Sequence, residues 1–151
     1  MAVLIPEELI REIAQELDSG MKCFYHIPTA EIKSYPDPMH TDYFDDEIWQ
    51  ETIDEIDSVL DEGIAFKTLA SHESFKMMES FISGIENEDI RRRFEDAIAY
   101  RKPFQNFKQL LLNYPELREQ WFKYKDQQYI EWVKEQLEAF NRSKNEAADL
   151  E

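Results

Sequence analysis

The chain has 151 residues, of which 42% are hydrophobic and 13% aromatic, and its formal net charge is −16. A chain of this length and apolar content buries enough surface to fold without disulfides or a metal, and its single cysteine, Cys23, rules out an internal disulfide. The acidity argues against duplex nucleic acid as a partner, because such binding depends on cations that neutralise phosphates. With no signal-peptide pattern at the start and no run of about 18 uncharged apolar residues, we expect a cytoplasmic protein without a membrane span.

The first half of the chain is predicted to mix helices and strands. Apolar residues at helical spacing, with acidic residues opposite them, indicate amphipathic helices. Compact aromatic and β-branched runs bounded by glycine and proline are typical of strands, and two such runs joined by a short turn indicate a hairpin. The predicted elements are a helix over 6–17, a hairpin over 21–27 and 31–34, a helix over 45–61 and a third strand over 64–69.

The second half is predicted to be helical, with prolines at two of the helix starts. Its predicted helices cover residues 73–85, 88–100, 103–113 and 115–142. We therefore expect an α+β fold that is mostly helical, with a small antiparallel sheet, made of the hairpin and the third strand, in the first half. The predicted organisation is one domain over residues 1–151, with a mixed part at 1–70, a helical part at 71–142 and a disordered tail at 143–151.

Charge is distributed unevenly along the chain. Residues 30–62 hold 12 acidic residues and one basic residue, whereas residues 91–125 hold nine basic and four acidic residues. The acidic face of the 45–61 helix is either a solvated face or a carboxylate row that attracts a basic partner. The basic stretch is compatible with a local anion-binding site.

Two cations of the basic stretch fall on predicted apolar faces. If the helix that begins at residue 88 continues far enough, Arg101 projects within about 20° of Ile90 on its circumference. Lys108 lies within the stripe that is formed by Phe104, Phe107 and Leu111. We therefore predict that both cations point inward, where each needs a solvated head group, an internal ion pair or an anionic ligand. The first two outcomes are purely structural, and the third is a pocket in which arginine supplies a bidentate fork.

The functional interpretation of this stretch is a non-enzymatic interaction or ligand-binding domain. Its partner would be an acidic segment of another protein or a small anionic ligand, which the cations orient and the phenylalanines contact. The alternative is an enzyme that acts on a small anionic substrate and draws an acid from residues 42–47. The candidate ligand-binding residues are Arg93, Arg101, Lys102, Phe104, Phe107, Lys108 and Trp121.

Other residue types indicate no cofactor or metal site. None of the histidines, which are His26, His40 and His72, is paired at zinc-binding spacing, and the acidic segment after His40 lacks the glycine of a calcium loop. The three glycines form no phosphate-binding motif. Cys23 is predicted to be a buried thiol. The aromatic residues of the last helix are predicted to pack in a core, with a stacking platform or a partner interface as alternatives.

Several segments resemble a bacterial family known as uncharacterised protein family 0158. They include Arg101-Lys-Pro-Phe-Gln-Asn-Phe-Lys and the early segment Phe24-Tyr-His-Ile-Pro-Thr-Ala-Glu-Ile. The remaining ones are residues 75–82, 93–98 and 115–125, in the order the family has them. The family often has glycine near positions 100–103, where this chain has none. The resemblance implies no catalytic residue, because the family carries no established activity.

Overall fold

A computed structural model describes residues 2–38 and 46–150 of the chain. In these ranges there are six α-helices: α1 Glu7–Asp18, α2 Asp46–Ser58, α3 Ser71–Ser83, α4 Glu88–Ile98, α5 Pro103–Leu111 and α6 Pro115–Leu150. Three strands, β1 Met21–His26, β2 Glu31–Pro36 and β3 Gly63–Phe66, form one antiparallel sheet in the order β2-β1-β3. The predicted α+β class, with the sheet in the first half, is confirmed.

The chain divides into two compact units. The first contains residues up to Thr68 and those from Tyr129 onward, and the second is Leu69–Gln128. The single-domain organisation stays a prediction. Residues 143–150, for which a disordered tail was predicted, belong to α6.

The first unit is organised around β1, whose residues Cys23, Phe24 and Tyr25 are all buried. Strand β1 pairs with both neighbours, so that His26 lies opposite Glu31 on β2 and opposite Gly63 on β3. Burial on both sides of a central strand explains why its three middle residues are consecutively apolar or aromatic instead of alternating with polar ones.

Amide side chains of α6 hold two extended segments of the first unit. Asn141 accepts a hydrogen bond from the Val3 N–H at 2.9 Å and donates one to the Val3 carbonyl at 3.0 Å. Gln136 makes the same pair of bonds with the backbone of Lys67, at 2.8 and 3.2 Å. The indole N–H of Trp132 also donates to the Lys67 carbonyl, at 2.8 Å.

The second unit has a core of interlocking rings. Phe94 and Phe107 lie 5.6 Å apart between ring centroids, and Phe107 and Trp121 lie 4.9 Å apart, both edge-on. Met78 and Ile82 of α3 complete the buried cluster. Edge-to-face packing of this kind stabilises aromatic pairs beyond the burial of their area. Trp121 therefore packs in the core of the second unit.

Candidate functional site

The corner between α4 and α5 carries Arg101 and Lys102. Helix α4 ends at Ile98, and Lys102 adopts a left-handed conformation with φ of 59° directly before Pro103. Proline disfavours helical geometry in the residue before it and suits the first position of a new helix. The prediction that Arg101 continues the apolar face of α4 is therefore wrong, because the helix ends before reaching it.

Asn106 fixes the shape of this corner. Its side-chain NH₂ donates to the carbonyl oxygens of Ala97, at 3.0 Å, and Arg101, at 2.9 Å. These bonds satisfy carbonyls that the end of α4 leaves without intrahelical partners. The backbone of the corner is thus held from α5, while the side chains of Arg101 and Lys102 are exposed.

Lys108 is also exposed, so its predicted inward orientation is wrong. The buried sector of α5 is centred between Phe107 and Leu111, which are 2% and 3% exposed. Lys108 is displaced from these two by about 100° and about 60° around the helix. Phe104, which is 38% exposed and meets Phe75 edge-on, lies at the rim of the buried sector rather than at its centre.

The cations of the stretch differ in whether they are paired. Arg91 contacts Glu95 at 3.3 Å, and Arg92 contacts Glu88 at 2.9 Å. Within residues 2–38 and 46–150, the side chains of Arg101, Lys102 and Lys108 form no ion pair or hydrogen bond. The internal ion pair considered from the sequence is therefore not formed in this part of the chain.

The start of α5 adds to the positive potential of the corner. Lys102 precedes the helix and its side chain makes no capping hydrogen bond. The first N–H groups of a helix carry partial positive charge and favour anions. The corner thus combines two exposed cations with the positive end of a helix.

Arg93 lies in a separate feature, an open cleft between α4 and α5. Its guanidinium donates to the Tyr114 hydroxyl at 2.7 Å. The polar residues that line the cleft are Arg93, Asp96, Asn106, Gln109 and Asn113. Neither Arg101, Lys102 nor Lys108 lines it, so the structure does not gather the candidate residues into one pocket.

A second groove, between α3 and α4, is apolar with an acidic rim. Phe75, Ile82 and Ile98 form its apolar surface, while Glu79 and Glu95 supply carboxylates. Arg101 and Lys108 are absent from its lining as well. No sequence pattern predicted this groove, because its walls come from two helices whose packing is a tertiary feature.

The structure also reveals a polar contact chain at the hairpin that sequence analysis missed. The imidazole Nδ1 of His26 lies 2.7 Å from the Thr29 hydroxyl oxygen, and its Nε2 lies 3.5 Å from a carboxylate oxygen of Glu62. The Thr29 oxygen also accepts a hydrogen bond from the Glu31 N–H at 3.4 Å. The two hydrogen bonds of Thr29 order the tight turn between β1 and β2. The β1–β3 register, in which Gly63 lies opposite His26, brings Glu62 close to the imidazole.

Among the described residues, no three or more His, Cys, Asp or Glu side chains converge as a metal site would require. The His40 segment lies outside the described residues. Burial, with smaller contributions from the carboxylates of Glu16 and Glu12, raises the pKa of Cys23 to about 12. A thiol with so high a pKa is a poor nucleophile. No helix in the described ranges has the length and apolar character needed to cross a membrane.

In comparisons with known proteins, the chain is similar to sequences without an assigned activity. The sequence model described as "Uncharacterised protein family (UPF0158)" matches residues 7–151. UPF0158 protein PA5073 of Pseudomonas aeruginosa is 33% identical over 70 residues. That match spans 46% of this chain and 46% of the relative. No solved structure is significantly similar.

Proposed function

The chain belongs to the uncharacterised protein family UPF0158, and from that premise we propose that it is a non-enzymatic interaction domain that binds an acidic segment of a partner protein. The proposed contact surface is called the basic stripe. It consists of Arg101, Lys102, Phe104 and Lys108. The observation that supports it is that three exposed cations are unpaired, within the described part of the chain, in a protein whose net charge is −16.

The stripe has dimensions that suit an extended peptide. Lys108 lies six residues beyond Lys102, a rise of about 9 Å along a helix. Three residues of an extended peptide span about 10 Å. Carboxylates about three residues apart could therefore meet both ends of the stripe, and Phe104 offers an exposed ring between them.

The charge of the whole protein favours recognition at short range. Exposed charges more than about 8 Å apart are largely screened at physiological ionic strength. An acidic segment in contact with the stripe is therefore attracted by the nearby cations and only weakly repelled by the distant carboxylates. Because such contacts are exposed, we expect moderate affinity that falls as salt is added.

The enzyme alternative lacks comparable support. An enzyme would need the cations to converge in a cleft beside an acid with a perturbed pKa. The two clefts described above are lined by neither Arg101 nor Lys108. Catalysis on a small anionic substrate stays a prediction.

Fluorescence anisotropy with a labelled hexaglutamate peptide tests the proposal. The test variant is Arg101→Glu/Lys102→Glu, and the matched control is Lys76→Glu/Lys123→Glu, which changes the net charge equally at two other exposed positions of the second unit. We expect about tenfold weaker binding in the test variant and less than about twofold change in the control. Equal weakening in both variants would show that only net charge matters, and absence of binding to the unaltered protein would contradict the proposal outright.

A further inference from the structure

We propose that the cleft between α4 and α5 is a separate binding site that takes the backbone of an extended peptide through the amide side chains of Gln109 and Asn113. The cleft is open to solvent and has a volume of about 490 Å³. Arg93 and Asp96 line its α4 side, and Asn106, Gln109 and Asn113 line the other. This inference is independent of the basic stripe, because none of the stripe residues lines the cleft.

The lining side chains differ in how much hydrogen-bonding capacity they retain. The NH₂ group of Asn106 is occupied by the carbonyls of Ala97 and Arg101. Arg93 is oriented by the Tyr114 hydroxyl. Gln109 and Asn113 are exposed, and their amide groups have no partner among residues 2–38 and 46–150. Each of these two amides offers both a donor and an acceptor.

The same protein shows twice how such an amide binds a backbone segment outside helices and strands. Gln136 pairs with both the N–H and the carbonyl of Lys67, and Asn141 does the same with Val3. In an extended segment, the N–H and C=O of one residue point to the same side, so one primary amide satisfies both. A helical glutamine or asparagine therefore recognises an extended backbone without regard to its side chains.

The spacing of Gln109 and Asn113 matches an extended peptide. The N–H of Asn113 donates to the Leu110 carbonyl at 3.0 Å, so this residue lies in a turn of the 3₁₀ type that directly follows α5. Four residues rise by about 6 Å along an α-helix and by about 8 Å along a 3₁₀ turn. Alternate residues of an extended strand, whose backbone groups point the same way, are about 6.6 Å apart. The two amides can thus pair with residues i and i+2 of one peptide.

The charges that flank these amides predict weak dependence on salt. Arg93 and Asp96 carry opposite charges about one turn apart on α4 and together leave the cleft nearly neutral. Binding to the cleft should therefore persist at salt concentrations that weaken binding to the basic stripe. This difference separates the two sites experimentally.

Nuclear magnetic resonance of the full ¹⁵N-labelled chain tests the inference. The probe is the neutral capped peptide acetyl-Ala-Thr-Ala-Thr-amide, compared with a version that carries N-methyl groups on its backbone. We expect millimolar binding that shifts the side-chain NH₂ signals of Gln109 and Asn113, with at least about tenfold weaker binding of the N-methylated peptide. Absence of shifts with the first peptide, or equal binding of both, would overturn the inference.

Two pairs of variants complete the test. Gln109→Ala/Asn113→Ala should weaken peptide binding about tenfold, and the shape-preserving Gln109→Glu/Asn113→Asp, which loses the donors, should weaken it similarly. The control Gln105→Ala/Gln120→Ala removes two exposed amides of the same unit that do not line the cleft. Wild-type affinity in both cleft variants, or an equal loss in the control, would refute the site.

Discussion

Gly63→Ala offers a sharp test of the packing around β1. An added Cβ would lie 2.3 Å from the Tyr25 carbonyl oxygen and 2.4 Å from the Phe24 ring. The backbone of Gly63 is extended, with φ of −155°, so the obstacle is space and not conformational strain. Phe24 is 2% exposed and cannot swing outward, and the Tyr25 oxygen belongs to the neighbouring strand. One methyl group therefore has to displace β3 or the core ring.

The expected cost follows from these contacts. Overpacking a core by one group costs about 1–3 kcal/mol, and the upper end applies because one obstacle is backbone. Alanine recovers roughly 0.4–1 kcal/mol by restricting the unfolded chain. We expect a net loss of about 2 kcal/mol in the free energy of unfolding, which corresponds to a fall of roughly 4–8 °C in Tm for a chain of this size.

Gly84→Ala is the matched control for this experiment. Its Cβ would meet the carbonyl oxygens of Phe81 at 3.5 Å and Ser80 at 3.9 Å, which are ordinary contacts, and its φ is −87°. The same chemical change should here leave Tm unchanged or raise it slightly. Thermal unfolding followed by circular dichroism compares the two variants. A Gly63→Ala melting temperature within about 1 °C of wild type, or equal destabilisation by Gly84→Ala, would refute the packing argument.

Four further outcomes are expected. At pH 8 the thiol of Cys23 should react with iodoacetamide at least about 10³-fold more slowly in the folded chain than in the unfolded chain, because burial holds its pKa near 12 instead of 9.0. Comparable reaction rates in the two states would contradict this expectation. The raised pKa of Cys23 also predicts that the free energy of unfolding declines as the pH rises from 9 toward 12, because the thiol ionises at a lower pH in the unfolded chain than in the folded one. Thr68→Val removes the 2.7 Å hydrogen bond to the buried carboxylate of Asp37 and should therefore lower the free energy of unfolding, measured by urea titration, by about 1–2 kcal/mol. An unchanged free energy of unfolding would show that this hydrogen bond is dispensable. Lys102→Gly should be at least as stable as the wild type, whereas Lys102→Val should be less stable by about 1 kcal/mol or more, because β-branched residues are disfavoured at positive φ. Equal melting temperatures of the two variants would argue against the left-handed conformation of this residue.

The elements that the sequence predicted well are those with a strong local signal. The hairpin was predicted because Gly20 and Pro28 bound a compact aromatic run. Helix α5 was predicted to begin at Pro103, where it does begin. In each case the information lies within a few residues, in a pattern of spacing or in the restricted backbone of proline.

The orientation of the cations was predicted wrongly because it depended on where helices end and how wide their buried faces are. Projecting Arg101 onto α4 assumed that the helix continues, but Lys102 turns the chain instead. Placing Lys108 inside an apolar stripe assumed that Phe104 lies at the centre of that stripe, whereas it lies at the rim. Both errors concern packing against other helices, which periodicity alone does not specify.

The amino-acid sequence alone determined the α+β class, the order of the elements and the contrast between an acidic first half and a basic stretch, because backbone restrictions, apolar spacing and charge are properties of neighbouring residues. Only the tertiary structure decided that Gly63 is required by the ring of Phe24 and that Arg93 faces a cleft with Gln109 and Asn113. It also decided that Arg101, Lys102 and Lys108 face solvent. These features depend on the distances between elements that are far apart in the chain, and such distances are fixed only when the helices and strands pack against each other.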